Sequence, residues 1–392
     1  MEETWRWFGP DDTVTLEQIR QAGASGIVTA LDHIPTGEAW PSADIAQRKQ
    51  MIEAAALQWA VVESVPLHND IKLRKGDYRR YIENYKRSIR NLGAAGVHRI
   101  CYNFMPVVDW TRTNLNYELP NAAQALRFEM TDFAAYDLFV LEREGARDSY
   151  SQEVVQRATE RFNKLSADAV AALERNVIAG LPGGEGSYDR AGIRAAIAEF
   201  AKVGNTTYRA NLVAFLDEVV PVAEAAGVVL AIHPDDPPFS LFGLPRVVST
   251  ADDARALLAA VPSRVNGLTM CAGSFGARGD NDLVAMIREF HDRIHFVHLR
   301  NIKREADGSF YESDHLDGDN DIVGIVGALL DEEGTRDPTS NFARIPMRPD
   351  HGHTLGEERS DERVRPGYSY AGRMKGLAEL RGVIHALESM RH

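Results

Sequence analysis

The feature that most constrains the fold of this 392-residue chain is a regular alternation of short apolar runs with helical patterns. Eight runs, each bounded by turn-forming residues, have the length and composition of buried strands. They are residues 5–9, 26–31, 59–64, 99–105, 227–233, 267–273, 294–300 and 344–350. Between most of them, apolar residues recur at helical spacing. Eight strands that alternate with helices predict an α/β fold, a (β/α)8 TIM barrel.

The alternation is interrupted once, between residues 107 and 206, where no strand pattern occurs and several stretches have helical spacing. We predict a helical insertion after the fourth strand, with the glycine-rich segment 181–187 as a flexible connector inside it. Because the loops that follow barrel strands surround the active face, this insertion is expected to form a lid. Residues 1–392 then form one barrel domain. A doubly wound sheet is the competing arrangement, but the turn GPDDT after the first run lacks the glycine-rich pattern of that class.

Composition and charge exclude several classes of function. The 44% share of hydrophobic residues permits a sizeable buried core, and the formal net charge of −13 argues against a nucleic-acid or anionic-membrane surface. The two cysteines are too few for a disulfide framework, and the first residues lack the apolar stretch of a signal peptide. No segment approaches the roughly 20 apolar residues that span a bilayer. We expect a soluble cytoplasmic protein that binds neither nucleic acid nor membrane.

Metal-binding side chains lie on the last four predicted strands. The fifth ends at His233, the sixth carries Cys271, the seventh carries His298, and the eighth ends at Asp350. Catalytic residues of such barrels come from the C-terminal ends of strands, and strand alternation lets all four side chains point inward. Two imidazoles, a thiolate and a carboxylate suit a borderline transition metal such as Zn²⁺, Mn²⁺ or Fe²⁺.

Two further histidines and the second cysteine are predicted to have structural roles and not to bind metal. His295 has the opposite parity to His298 and is predicted to face the helix layer. Cys101 is predicted to be a small buried hydrophobic residue. His315 lies in the acidic stretch DHLDGDND and is predicted to belong to a surface loop.

The segments around these residues resemble the D-mannonate dehydratase family of the xylose-isomerase-like barrel superfamily. The match runs nearly end to end, through WRWFGP, ALDHIPTGEAWP, VESVPLHNDIK, CYNFMPVVDWTRT, AIHPDDPP, CAGSFGARGDNDL, HFVHLRNIKR, RPDHGHT and PGYSYAGRMKGLAELRG. The resemblance implies that His233, Cys271, His298 and Asp350 hold one Mn²⁺ or Fe²⁺ per chain. It also implies a hydro-lyase that converts D-mannonate to 2-dehydro-3-deoxy-D-gluconate in hexuronate catabolism.

That reaction requires a base at C2, an acid at O3 and positive charge beside the developing enediolate. His351, adjacent to Asp350, is predicted to be the acid. Tyr368 matches the family's catalytic tyrosine and is predicted to take or relay the C2 proton. Because an ordinary tyrosine titrates near 10, this role needs a cation nearby. Which of the two residues is acid and which is base stays open at this point.

Five further polar residues are predicted to bind substrate. Asn103 lies on the inward side of the fourth strand, and Arg300 lies two residues past His298. The other three follow the third strand or lie in the DWTRT segment: His68, Lys72 and Arg112.

Two other functions remain open at this stage. One is a metal-dependent sugar isomerase or epimerase, or a dehydratase of another aldonate, within the same superfamily. Isomerase sites usually carry several carboxylate ligands, whereas here a cysteine replaces one of them. The other is a non-catalytic metal-dependent binding protein, which would not need an acid and a base beside the ligands. A homo-oligomer is compatible with all of these readings.

Overall fold

The computed structural model describes residues 1–178 and 188–391 and contains twelve strands in those ranges. They are β1 (Glu2–Arg6), β2 (Gly26–Thr29), β3 (Gln58–Glu63), β4 (Arg99–Tyr102), β5 (Asn114–Glu118), β6 (Gln124–Phe128), β7 (Val229–Ile232), β8 (Asn266–Cys271), β9 (Ile294–His298), β10 (Ile302–Arg304), β11 (Phe310–Glu312) and β12 (Pro346–Arg348). Eight of them close into a parallel barrel in the order β1-β12-β9-β8-β7-β4-β3-β2. The predicted TIM barrel is confirmed.

The same residues form fourteen α-helices, of which eight follow the eight barrel strands in turn. They are α1 (Leu16–Gln21), α2 (Ser42–Ala54), α3 (Asn69–Leu73), α4 (Tyr78–Ala94), α5 (Met130–Ala135), α6 (Gln152–Phe162), α7 (Ala167–Ile178), α8 (Arg190–Phe200), α9 (Asn205–Ala226), α10 (Ala251–Ala260), α11 (Ala272–Phe275), α12 (Leu283–Phe290), α13 (Ile322–Glu333) and α14 (Tyr370–Ser389). Within the described residues, no helix combines the length and apolar character that crossing a membrane requires.

The barrel strands coincide with the predicted runs, with a shift at the first. Strand β1 begins at Glu2 instead of Trp5, because Glu2 and Glu3 pair in register with Pro346 and Met347 of β12. Helix α9 ends at Gly227, whose φ of +64° is a left-handed conformation that glycine adopts without strain. This turn directs the chain directly into β7.

The segment between β4 and α9 differs from the prediction. Helices α5 to α8 are present, but the expectation that residues 107–206 contain no strand was wrong, because β5 and β6 lie there. They join β10 and β11 in a separate four-stranded antiparallel sheet of order β10-β11-β6-β5. The sequence of β6, QALRF, is rich in helix-forming residues, and pairing on both edges overrides that propensity. The predicted connector at 181–187 lies outside the described residues.

Apolar side chains fill two regions of the barrel. A large cluster occupies the layer between strands and helices, and a small separate cluster fills the space that the strands enclose. The small cluster consists of Val28, Ala60, Val61, Cys101, Ala231 and Phe296. Cys101 is therefore a packing residue, as predicted. Side chains two positions further along these strands point the same way and reach the mouth of the barrel.

Candidate active site

A cavity lies at the C-terminal ends of the barrel strands, where the alternation of side chains aims polar residues inward. Glu63, Asn103, His233 and His298 each stand two residues beyond a member of the small interior cluster. The cavity is lined by Arg6, Glu63, Ser64, Asn103, Asp109, Trp110, His233, Asp236, Arg300, Arg348, Asp350, His351 and Tyr368.

The four predicted metal ligands come together at this mouth. The ligand atoms of His233, Cys271 and His298 all lie within 4.8 Å of one another. Asp350 completes the group, with Oδ1 3.8 Å from His298 Nδ1 and Oδ2 3.9 Å from Cys271 Sγ. Register explains part of this proximity, because Cys271 and His298 are direct neighbours across β8 and β9.

Hydrogen bonds orient both histidine rings toward this group. His233 Nδ1 lies 2.7 Å from the Pro234 carbonyl oxygen and donates a hydrogen bond to it. The lone pair of His233 Nε2 is therefore free to bind a metal. His298 Nε2 lies 3.2 Å from Glu63 Oε1, which leaves Nδ1 free. Arg348 Nε is also 3.1 Å from His298 Nε2, but a nitrogen that donates to Glu63 cannot accept from Arg348. The two free nitrogens, His233 Nε2 and His298 Nδ1, face each other at 3.3 Å.

Arg348 holds two carboxylates of the mouth in their ionised form. It contacts Glu63 Oε2 at 2.9 Å and Asp350 Oδ1 at 2.6 Å. Burial opposes ionisation of Asp350, but the charges of Arg348, His351, His298 and Arg300 outweigh it and hold the pKa of this carboxyl well below its usual range. Asp350 also has φ of +69°, an uncommon conformation for a residue other than glycine. The strained turn aims an ionised carboxylate at the metal-ligating group.

A second ionic network, centred on Arg300 and Asp236, is connected to the first through Asp350. Arg300 contacts Asp236 Oδ2 at 2.5 Å and Asp350 Oδ2 at 3.1 Å. Arg112 contacts Asp236 Oδ1 at 2.7 Å and Glu312 Oε1 at 3.1 Å. Burial opposes the ionisation of Asp236, but the two arginines keep its pKa far below the ordinary range. The network fixes Arg300 in the cavity wall.

His351 and Tyr368 form a hydrogen-bonded pair. His351 Nε2 lies 3.2 Å from the Tyr368 hydroxyl, and His351 Nδ1 lies 2.9 Å from both carboxylate oxygens of Glu312. Burial raises the pKa of Tyr368 to about 12, despite the opposing charge of Arg348. Tyr368 directly precedes Ser369, the N-cap of α14, so the start of that helix fixes its position. The arrangement is a chain of tyrosine, histidine and carboxylate.

Of the five predicted substrate-binding residues, the structure places two at the cavity. Asn103 and Arg300 line it. Lys72 is buried one layer away, with Nζ 2.9 Å from the Met105 carbonyl oxygen and 3.6 Å from Asp109, which does line the cavity.

The other two, Arg112 and His68, do not line the cavity either. Arg112 is fully buried behind Asp236 and does not line the cavity. His68 caps α3 by accepting a hydrogen bond from the Asp70 amide at 3.1 Å, and its ring stacks on Tyr81 at 3.9 Å. Its contacts are those of a structural residue.

The two other histidine interpretations have different outcomes. His295 is buried in the helix-facing layer, with Nε2 2.9 Å from the Arg264 carbonyl oxygen, as its parity predicts. His315 was predicted to be at the surface and is instead buried, with Nε2 2.8 Å from the Pro349 carbonyl oxygen. That contact supports the backbone next to Asp350, so the acidic residues around His315 gave a misleading signal.

Charged residues of the site that the sequence did not reveal include Glu63, Arg348, Asp236 and Glu312, together with Arg6 and Asp109. Glu63 is the last residue but one of the third predicted run and ends β3 with inward parity, so the rule that found His233 could have found it. Arg348 lies within the eighth predicted strand and could have been found in the same way. Asp236 and Glu312 lie beyond the barrel strands, so strand parity carries no information about them.

A closed parallel barrel with converging imidazole, thiolate and carboxylate groups at its mouth defines a β/α-barrel protein with a candidate transition-metal centre. The sequence profile of one family, D-mannonate dehydratase (UxuA), matches residues 1–392. The chain belongs to the D-mannonate dehydratase family.

Curated relatives and solved structures agree with this assignment. The chain is 64% identical over 389 residues to the mannonate dehydratase of Saccharophagus degradans, covering 99% of this chain and 98% of that protein. It is 58% identical over 388 residues to mannonate dehydratase 2 of Agrobacterium fabrum, covering 99% and 98%. The crystal structure of mannonate dehydratase from Streptococcus suis superposes with a TM-score of 0.78 at 34% identity, covering 100% of this chain and 94% of that one. A D-psicose 3-epimerase structure, 13% identical with a TM-score of 0.52, shares the fold.

Proposed function

We propose that this chain removes water from D-mannonate to give 2-dehydro-3-deoxy-D-gluconate in hexuronate catabolism, using one Mn²⁺ or Fe²⁺ per chain. The observation that carries the proposal is the position of the His351–Tyr368 pair, which lines the same cavity as His233 and Asp350. Relatives that are 54–64% identical along their whole length are named mannonate dehydratases.

The donor set fits a transition metal. The residues that would hold it are His233, Cys271, His298 and Asp350, whose donor atoms converge. The hydrogen bonds of the two histidines to Pro234 and Glu63 leave free the ring nitrogens that face this group. When bound, the metal supplies positive charge that stabilises the enediolate formed after loss of the C2 proton. The donor types also accept Zn²⁺, so the preference for Mn²⁺ or Fe²⁺ rests on the family resemblance.

The protein's own residues provide a path for the protons. Tyr368 is neutral at ordinary pH, so its oxygen can take the C2 proton only if its own proton leaves at the same time. His351 Nε2, 3.2 Å away, is the acceptor for that proton. The resulting imidazolium is stabilised by Glu312 at Nδ1 and then protonates the C3 oxygen, which leaves as water. The base and acid roles predicted for Tyr368 and His351 thus become two ends of one relay.

The cover of the site belongs to the same proposal. Residues 1–392 act as a single barrel domain in which the 107–206 insertion serves as a lid. Support comes from Asp109 and Trp110, which line the cavity, and from Arg112, which ties the insertion to Asp236.

The test is turnover of D-mannonate and D-gluconate, side by side, by protein stripped of metal and reloaded with Mn²⁺ or Fe²⁺. We expect keto acid from D-mannonate at a rate well above that from D-gluconate, and we expect solvent deuterium at C2 of recovered substrate if the step is reversible. Formation of a C2 epimer or a ketose without loss of water would favour an epimerase or isomerase. Binding of aldonates without any exchange or product would identify a binding protein.

A further inference from the structure

Arg6 lines the cavity but has no role in the relay or in the candidate metal centre. It ends β1, is 5% exposed and belongs to the wall of the cavity. Its guanidinium lies 4.6 Å from the centre of the Phe8 ring. Its hydrogen bond to the Trp7 carbonyl oxygen, at 3.5 Å, is at the limit of a useful contact.

The charges of the cavity are paired except at this position. Arg348 pairs with Glu63 and Asp350, and Arg300 pairs with Asp236. Asp109, the remaining lining acid, lies 3.6 Å from Lys72. Among residues 1–178 and 188–391, Arg6 forms no ion pair, so it is the lining arginine without a carboxylate partner.

Arg6 interacts with Glu63 only at longer range, and a buried guanidinium that no carboxylate contacts directly is costly unless a ligand provides the negative charge. The substrate class of the proposed reaction, an aldonate, carries one carboxylate, and the fork of an arginine matches a carboxylate with two parallel hydrogen bonds. We infer that Arg6 binds the C1 carboxylate of the substrate and is a specificity-determining residue of the site, an inference that rests on the proposed function.

The position of Arg6 agrees with the chemistry at C2. The Arg6 guanidinium packs on the Phe8 ring, and that ring makes an edge contact with the Tyr368 ring at 4.8 Å between centroids. C2 is bonded directly to the carboxylate carbon, so a carboxylate held by Arg6 would place C2 on the side of the cavity where Tyr368 lies. The same ion pair also stabilises the charge that enters the carboxylate when C2 is deprotonated.

Binding measurements with a matched neutral ligand test this assignment. Calorimetric Kd values for D-mannonate and D-mannonamide are measured on Mn²⁺-loaded Tyr368→Phe protein, in which turnover is blocked, with and without Arg6→Met. We expect Arg6→Met to weaken D-mannonate binding about 10- to 100-fold and to change D-mannonamide binding less than threefold. Arg6→Lys, which keeps the charge but loses the fork, should lie between. Equal weakening of both ligands, or no weakening of either, would overturn the proposal.

Two controls make the result interpretable. Arg365 is an exposed arginine that contacts the same Phe8 ring at 4.8 Å and does not line the cavity, so Arg365→Gln should leave both Kd values unchanged. Metal content and thermal unfolding establish that each variant is folded. If the protein fails to dehydrate D-mannonate but binds D-gluconate or another aldonate with the same dependence on Arg6, the proposed reaction falls and the carboxylate site stands.

Discussion

Three residues of the relay come from separate parts of the chain: Glu312 from β11, His351 from the turn after β12, and Tyr368 from the residue before the cap of α14. His351 and Tyr368 each have a nearby residue of the same type outside the cavity. His353 contacts the carbonyl oxygen of Glu312 instead of its carboxylate, and Tyr370 donates to the Gln18 carbonyl oxygen. The chain therefore offers matched controls for both proposed catalytic positions.

We predict that His351→Asn and Tyr368→Phe each lower keto acid formation about 10²–10⁴-fold and also abolish exchange of the C2 proton with solvent. The reason is that Tyr368 can release its own proton only to His351. The measurement is deuterium incorporation at C2 together with product formation. Tyr370→Phe and His353→Asn should retain both activities. Exchange that survives in His351→Asn would show that Tyr368 deprotonates C2 without help, contrary to the relay.

A second prediction at this scale concerns pH and stability. Burial lowers the pKa of His295 to about 3 in the folded protein, from an ordinary value of 6.5. Between pH 6.5 and 3, His295 is therefore protonated in the unfolded chain but neutral in the folded protein. The free energy of unfolding that is present above pH 6.5 decreases as the pH falls toward 3. Compared with His295→Gln, the wild-type free energy of unfolding should fall more steeply in this window, by up to about 1.4 kcal/mol per pH unit. Equal slopes in denaturant titrations would contradict the prediction.

At the scale of elements, the short helix α11, which directly follows β8, has a glycine next to Arg300 where a larger residue would not fit. A Cβ atom at Gly273 would lie 2.0 Å from Arg300 Nε and 2.8 Å from its Cζ. No such crowding exists at Gly327 in α13, where a Cβ would meet nothing within 4 Å. The close approach packs the Arg300 guanidinium against the backbone that follows Cys271.

Gly273→Ala should displace Arg300 from Asp236 and Asp350 and thereby lower kcat about 10²-fold, since misplacement by about 1 Å has effects of this size. Gly327→Ala should leave activity unchanged and, because alanine favours helix, raise stability by up to about 1 kcal/mol. Steady-state kinetics and thermal unfolding of both variants make the comparison. Unimpaired turnover in Gly273→Ala would mean that the position of Arg300 does not limit the reaction.

The strands that the sequence predicts are buried and apolar, whereas the strands that it does not reveal are short or partly exposed. Buried parallel strands read as continuous apolar runs, so GVVLAIH and IHFVHLR were recognisable and led to His233 and His298. Strands β5 and β6 are partly exposed, and β10 and β11 have only three residues each, so no periodicity identifies them. Glu312 lies on one of these strands, and only the tertiary fold brings it to His351.

At the scale of the whole molecule, the candidate metal centre joins four strands that are far apart in sequence. Glu63 supports it from a fifth, through the hydrogen bond to His298 Nε2. Binding of a metal that prefers the folded state therefore adds directly to global stability.

We predict about one transition-metal ion per chain, loss of turnover on chelation, and recovery with Mn²⁺ or Fe²⁺. His233→Ala or His298→Ala should nearly abolish metal binding, and Glu63→Gln should weaken it about 10- to 100-fold through the outer hydrogen bond. His295→Ala is the control and should keep its metal, because that ring faces the helix layer. Elemental analysis of each purified variant is the measurement, and active protein free of metal would refute the prediction.

The four-stranded sheet joins two parts of the chain, since β5 and β6 follow the fourth barrel strand while β10 and β11 follow the seventh. Phe128 of β6 pairs with Phe310 of β11, two residues before Glu312. Backbone amides in these strands should therefore exchange with solvent deuterium through one shared opening event, not through two independent ones. A ligand in the cavity should slow exchange in β6 and β11 by the same factor. The cover of the site and the carboxylate behind His351 would then open and close as a single cooperative unit.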